Sequence, residues 1–246
     1  MSGHSKWHNI KIKKSKTDQQ RGKLFSKIAR EIIIAAKAGG GDPAANMRLR
    51  AAVDRAREAS MPNDNIQRAI QRGAGGGEGA TYEEVTYEGM APGGVAVLVQ
   101  AQTDNRNRTA SEIRNIFTKA EGNLGASVGW LFEKKGVITM KKAVASEEEV
   151  LTKAVDAGAE DMKVTSDEYE ITVAPEEFAK VKQALEAAGY ALISAEITLV
   201  PKSTVTVEGK EAQRVLRLLE ALEDHDDVQH VYANFDIPDE VLEQVG

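Results

Sequence analysis

Residues 136–200 read GVITMKKAVASEEEVLTKAVDAGAEDMKVTSDEYEITVAPEEFAKVKQALEAAGYALISAEITLV. The period of apolar residues predicts a strand at Val137–Met140, a helix at Ser146–Ala157, strands at Asp161–Thr165 and Tyr169–Val173, a helix at Pro175–Ala188 and a strand at Ala191–Leu199. Pro175 stands at a helix start, where its missing N–H costs nothing, and Gly189 stands at a helix end. The order is βαββαβ, that of a ferredoxin-like unit.

Working outward, the segment from Val205 offers a strand, a helix at about Lys210–Glu223 and a strand at Val228–Phe235. These cannot enclose a core by themselves. Upstream, β-rich stretches at Tyr82–Glu88 and Val95–Gln102 are joined across Pro92, Gly93 and Gly94, which suit a turn. A helix follows, opened by Thr109 with Glu112 three residues later and buried through Ile113, Ile116 and Phe117. A short strand is expected at Val128–Phe132. The two incomplete sets complete each other, so the expectation is a discontinuous α/β middle domain, residues 80–133 and 204–246, carrying the ferredoxin-like domain, residues 134–203, as an insertion.

The glycines of Gly73–Gly79 are read as a linker, because they carry too much backbone entropy for a regular element. Before it lies a helical domain, residues 1–79. Met1–Lys16 reads as a basic tail without apolar period. Thr17 and Gln20 form a capping-box pattern that opens a helix ending near Gly39 as its C′ residue. Asp42 and Pro43 read as the N-cap and first residue of a second helix running to about Ala59, and a third lies between Pro62 and Arg72. The fold class expected is α+β and multidomain.

The formal charge of the 246 residues is −6, which for a whole chain argues against nucleic-acid binding. The average hides a polarity. Residues 1–76 carry sixteen Lys and Arg against six Asp and Glu, leaving sixteen against thirty-two in the remainder, so the segments stand at +10 and −16. Such asymmetry marks a basic nucleic-acid-binding portion on an acidic body. There is no cysteine, which excludes disulfides and thiolate metal sites and fits a reducing compartment. The longest strongly apolar run, Ile32–Ala36, is far short of the roughly 20 residues that span a bilayer. A cytoplasmic protein with no membrane partner is expected.

On the first helix Lys23, Lys27, Arg30 and Lys37 fall within about 80° of one another at roughly 100° per residue, a stripe about 21 Å long. The stripe is expected to face solvent and follow phosphates. Leu24, Phe25, Ile28, Ile32 and Ala36 lie away from it and supply the core. Ile34 interrupts the stripe, as a lone exposed residue or a contact to another molecule. Arg21 adds to the same helix. The second helix carries Arg48 with Arg55 on one side and Arg50 with Arg57 on the other, suited to bidentate phosphate contact or to pairing with Asp54 and Glu58. Arg68 and Arg72 repeat the i, i+4 spacing on the third. In the tail, Lys6, Lys11, Lys13, Lys14 and Lys16 accompany Trp7, which either stacks on an unpaired base or packs on the helical domain. Arg106 and Arg108, just before a helix N-terminus, form a second phosphate site or a loop of turn-forming residues.

Catalysis finds little support. The four histidines His4, His8, His225 and His230 join no nucleophile, base and orienter pattern, and His4 with His8 lacks further ligands. No metal and no cofactor are expected. The acidic group Glu220, Glu223, Asp224, Asp226 and Asp227 reads as a solvated helix end, or as a holder of a cation or basic partner. An enzyme would need a substrate-sized pocket, for instance between the acidic domains.

Gly3-His4-Ser5-Lys6-Trp7, Arg21-Gly22-Lys23, Gly39-Gly40-Gly41-Asp42-Pro43, Tyr87-Glu88-Gly89, Asp104-Asn105-Arg106-Asn107-Arg108-Thr109 and Gly122-Asn123-Leu124-Gly125, taken in order, closely resemble the YebC family. The resemblance runs over essentially the whole chain. It implies a helical first domain, a second domain, and a ferredoxin-like third domain inserted in the second. It also implies a DNA-binding transcriptional regulator, or alternatively a translation factor that binds ribosomal RNA or tRNA on the ribosome and relieves stalling. The basic tail with its single tryptophan suits RNA, and no helix-turn-helix signature with a clear recognition helix stands out. Helices edged with Arg and Lys suit duplex DNA through phosphate contacts alone.

Overall fold

The computed structural model describes residues 18–75, 81–165 and 167–236. Three helices come first: α1 (Asp18–Gly39), α2 (Met47–Glu58) and α3 (Asn63–Ala74). Strands β1 (Glu83–Ala91) and β2 (Val95–Thr103) follow, then α4 (Arg106–Lys119) and β3 (Asn123–Leu124). Next are β4 (Phe132–Lys141), α5 (Glu147–Ala157), β5 (Ala159–Val164), β6 (Glu168–Val173), α6 (Phe178–Ala187) and β7 (Leu192–Pro201). The described chain ends with β8 (Val205–Thr206), α7 (Gly209–Glu223), β9 (Val228–Ala233) and β10 (Phe235–Asp236). This is an α+β protein with an N-terminal helical domain and two four-stranded sheets, antiparallel in register. Among the described residues no helix is long and apolar enough to cross a membrane.

The described residues form two compact units, 18–127 with 209–231, and 128–208 with 232–236. In the first, α1, α2 and α3 enclose a core of Ile28, Ile32, Leu49, Val53, Ile66 and Ile70. Gly73 marks the closest approach. A Cβ there would lie 2.4 Å from the carbonyl oxygen of Ile33, so only glycine lets α3 cross α1 at this depth. Gly73 therefore belongs to the helix and not to a linker; residues 76–80 lie outside the described set. The sheet of this unit runs β3-β1-β2-β9 and takes strands from both sides of the sequence of the other unit. The β1–β2 hairpin turns through Pro92–Gly94, with Gly93 and Gly94 at φ of 74° and 77°.

The second unit has the βαββαβ order in β4, α5, β5, β6, α6 and β7, and its sheet stands as β5-β6-β4-β7. Ile138, Met140, Ile171 and Val173 from the sheet meet Val150, Val181 and Leu185 from the helices in one core. Gly136 admits the Phe178 ring, which a Cβ would meet at 2.5 Å. The parallel pair β10–β8 belongs to this unit.

Several boundaries differ from the sequence expectations, each for a local reason. Helix α2 is capped by Asn46 and not by Asp42, whose carboxylate accepts the Ala44 N–H in a preceding turn. Asn46 is 7% exposed; its Oδ1 accepts the Leu49 N–H at 3.0 Å, while its Nδ2 donates to Ala35 O and Gly40 O at 2.8 and 2.9 Å. One side chain thus satisfies the end of α1 and the start of α2. Helix α1 includes Gly39, and the left-handed residue is Gly40 at φ 87°. Helix α4 is capped by Asn105 and not by Thr109, whose hydroxyl is turned inward. Residues Gly129–Leu131 form a 3₁₀ turn where a strand was expected, and α6 starts at Phe178, after Pro175. The capping box of Ser146 with Glu149 forms in full. The tail and the Thr17 cap lie outside the described residues.

Asn46→Ala removes a cap and the amide that joins the end of α1 to the start of α2 through Ala35 O and Gly40 O, and urea denaturation is expected to show a loss of about 2 kcal/mol. A loss below ~0.5 kcal/mol would refute the clamp.

Candidate nucleic-acid interface

The stripe on α1 does not face solvent. Lys23 Nζ donates to Asp224 O at 3.0 Å and Lys27 Nζ to Glu223 O at 2.7 Å. Arg30 donates to Asp226 O and pairs with Asp227 Oδ1 at 3.1 Å. These acceptors lie at the C-terminal end of α7 and just beyond, where unsatisfied carbonyls favour cations. Ile34, on the same face, is buried at 8% exposure, so it is neither a lone surface residue nor free for another molecule. Helical periodicity identified which residues share a face. It carried no information about what covers that face, which comes from a segment about 200 residues away. Of the stripe, Lys37 alone stays exposed without a side-chain partner among the described residues.

Asp227 anchors this contact at 4% exposure. It accepts from Thr109 Oγ1 at 2.7 Å and from Arg108 Nη2 at 2.9 Å, besides Arg30. Burial pushes its carboxyl up, but the hydrogen bonds from Thr109 and Arg108 and the charges of Arg30 and Arg108 outweigh it and hold the group below the usual carboxylate range. Arg108 therefore faces two carboxylates of its own chain, Asp227 and Asp104, and the anion nearest the start of α4 is internal. Arg106 stays exposed, with its carbonyl accepting from Tyr87 Oη at 3.3 Å. The acidic group around Asp227 is thus no merely solvated helix end, since it holds Lys23, Lys27, Arg30 and Arg108.

Glu112, His225 and Asp227 bring ligand-type atoms within 4.8 Å of one another. Each is already engaged. His225 Nδ1 accepts the Asp227 N–H at 3.1 Å, which places the ring proton on Nε2, 2.8 Å from Glu112 Oε2. Hydrogen bonding accounts for the cluster without an ion.

A second knot joins α1 and α2 to the sheet. Arg48 makes a bidentate pair with Glu84 at 2.9 and 2.6 Å and reaches Glu31 at 3.0 Å, while Gln102 Nε2 donates to Glu31 and lies 3.5 Å from Glu84. The Arg48 hydrogen bonds hold the Glu84 carboxyl below its ordinary range despite burial. Arg50 is turned back on Pro43 O and Ala44 O, and Arg57 pairs with Asp54. Arg21 and Arg55 are exposed and have no side-chain partner among the described residues. Lys6, Trp7, Lys11, Lys13, Lys14 and Lys16 lie outside them.

Two family models match consecutive parts of the chain: the TACO1/YebC protein N-terminal domain over residues 5–76, and the TACO1/YebC second and third domain over residues 82–235. The chain belongs to the TACO1/YebC family. A relative from Dictyoglomus turgidum, named "Probable transcriptional regulatory protein", is 56% identical over 249 residues and covers all of both chains. One from Moorella thermoacetica with the same name is 57% identical over 250 residues, spanning 100% of this chain and 99% of its own. The crystal structure of a conserved hypothetical protein from Aquifex aeolicus is similar at a TM-score of 0.80 and 54% identity, covering 92% of this chain and 95% of that one. The names these curated relatives carry are those of regulators and not of enzymes.

The cations of this TACO1/YebC chain fall into two sets. Among the described candidate residues, Lys23, Lys27, Arg30, Arg48, Arg50, Arg57 and Arg108 have partners inside the molecule, and Arg21, Lys37, Arg55 and Arg106 have no side-chain partner. Sequence reasoning nominated both without distinction. Arg68 and Arg72, which repeat the arginine spacing on α3, likewise have no carboxylate partner among the described residues. Their signal was the absence of an acid at i±3 or i±4 beyond Asp64, whose carbonyl alone is used.

Lys23→Glu with Lys27→Glu places carboxylates against carbonyl oxygens at a helix C-terminus, so thermal unfolding is expected at a lower temperature, by about 1–2 kcal/mol in stability. Unchanged stability would mean the stripe is free. Because the folded-state Asp227 and Glu84 groups titrate below their unfolded values, their contribution is present above about pH 4 and is lost as pH falls through the folded values. Asp227→Ala is expected to cost of order 2–3 kcal/mol at pH 7 and to flatten the acid limb of a stability–pH curve; an unaltered limb counts against the assignment.

Proposed function

We propose that the chain is a non-enzymatic, cytoplasmic, DNA-binding regulator of transcription, working through residues 1–79. The observation that carries this reading is the surplus of +10 in residues 1–76, of which Arg21, Lys37 and Arg55 are exposed on α1 and α2 with no side-chain partner among the described residues. Exposed cations on helix surfaces contact phosphates, and the counterions they release make the affinity salt-dependent. The name of the curated relatives supports transcription as the process. We further infer three domains: a helical domain at 1–79, a discontinuous middle domain at 80–133 and 204–246, and a ferredoxin-like domain at 134–203. The sheet order β5-β6-β4-β7 supports the last.

A ribosome-bound translation factor is the second reading, favoured by the lysines of residues 6–16 around Trp7. Sucrose-gradient sedimentation of lysate, with and without nuclease, separates the two. Protein at the top of the gradient together with promoter-specific binding supports transcription; co-migration with ribosomes that requires residues 1–16 replaces it with translation. Arg21→Glu, Lys37→Glu and Arg55→Glu together are expected to leave stability within ~0.5 kcal/mol and to lower nucleic-acid affinity, with the salt slope reduced by about 2–3. Unchanged affinity and slope would remove these residues from the interface.

A further inference from the structure

We propose that the groove between α1 and α3 takes one unpaired nucleobase, with the adjoining phosphate on Arg68 and Arg72. The inference rests on the nucleic-acid reading above and names the chemistry of one further site within it.

The groove measures about 300 Å³ and opens to solvent. Its floor is apolar, made by Phe25, Ala29, Ile33, Met61 and Ala69, with Asn65, Arg68 and Arg72 also lining it. Phe25 is only partly buried, so an aromatic edge or face stays accessible in a surface hollow. Arg68 is held by donation from Nε to Asp64 O at 3.2 Å and from Nη2 to Asn65 Oδ1 at 2.6 Å, which leaves Nη1 unused among the described residues. The Arg72 guanidinium lies 5.8 Å from the centroid of Tyr82 and makes no hydrogen bond or ion pair among the described residues. Arg30, Arg48, Arg50 and Arg57 on these helices meet carboxylates or carbonyls, whereas Arg21 and Arg55 stand exposed away from this groove. Here Arg68 and Arg72, one helical turn apart, flank apolar surface with no carboxylate partner among the described residues.

That combination fits an unpaired base. A base offers two apolar faces to stack on an aromatic ring or a guanidinium plane, and its phosphate supplies the missing anion. The volume is at the small end for ligand sites. It accommodates a base with its sugar and excludes a partner helix about 10 Å across. Duplex DNA does not satisfy the floor, because its bases are stacked and paired and present phosphates outward. An unpaired RNA or DNA strand supplies the same chemistry.

The test uses the full chain and fluorescence anisotropy with three probes: a 12-nucleotide oligoadenylate RNA, its DNA counterpart and a 20-base-pair duplex. Arg68→Ala with Arg72→Ala removes the charge, and Ser26→Trp, at an exposed position lining the groove, fills it while keeping the charge. Melting temperatures check that both fold. Each variant is expected to weaken single-strand binding about tenfold or more, the arginine pair also lowering the salt slope by about 1–2, while Ser26→Trp changes duplex binding less than about threefold. The single strand bound more tightly by the unsubstituted chain identifies the occupant as RNA or DNA. Single-strand affinity unchanged in Ser26→Trp, or equal losses on the duplex, overturns the groove alone. If the unsubstituted chain binds none of the three probes, the nucleic-acid reading falls with it.

Discussion

The docking of α1 on the turn between α7 and β9 depends on one buried carboxylate. Asp227 is reached by Arg30 from α1 and by Arg108 and Thr109 from α4, and its own backbone nitrogen fixes the His225 ring. Its carbonyl accepts the N–H of Gln102 on β2 at 2.8 Å. Four elements from three separated parts of the sequence meet at this residue. A buried carboxylate is costly unless fully hydrogen-bonded, and here it is surrounded by donors, so the arrangement tolerates little displacement of any of them. The lysines that follow along α1 extend the contact over the carbonyls at the end of α7, adding attraction that is directional as well as ionic.

The Arg48 knot acts at another place on the same helices. With Glu31 on α1, Glu84 on β1 and Gln102 on β2, it ties the helical bundle to the sheet through shared carboxylates, Glu31 and Glu84 each accepting from both Arg48 and the Gln102 amide nitrogen. Gln102 joins both knots, through its side chain here and its backbone at Asp227. The opposite charges of the basic and acidic portions therefore serve first to hold this unit together. What remains for an external anion is the surplus left after internal pairing, and that surplus is what a charge count over residues 1–76 cannot apportion.

The fold was more legible than the site, for a physical reason. Strand alternation and capping residues act locally, so the β1–β2 hairpin across Pro92–Gly94, the Ser146–Glu149 box and the βαββαβ order were all readable. Errors arose where a local signal had two solutions. Asp and Asn both suit an N-cap, and the place goes to Asn46, whose amide also reaches the carbonyls of Ala35 and Gly40 at the end of α1. Thr109 matched a capping pattern but was needed by Asp227. Gly73 sat among flexible glycines yet was held by a close helix crossing. Site residues depend on partners far along the chain, and so the lysine stripe was correctly assembled and wrongly aimed.

Tyr82 connects the two roles of charge. Its ring centroid lies 5.6 Å from the Arg30 guanidinium carbon and 5.8 Å from that of Arg72. Arg30 is committed to Asp227, whereas Arg72 borders an open groove with no carboxylate partner among the described residues. Both cations stand within the distance at which the ring quadrupole attracts them. Asp227 neutralises the first through its ion pair at 3.1 Å. The second has no such partner among the described residues, so one aromatic ring borders a cation used to hold the fold and a cation left at the surface groove.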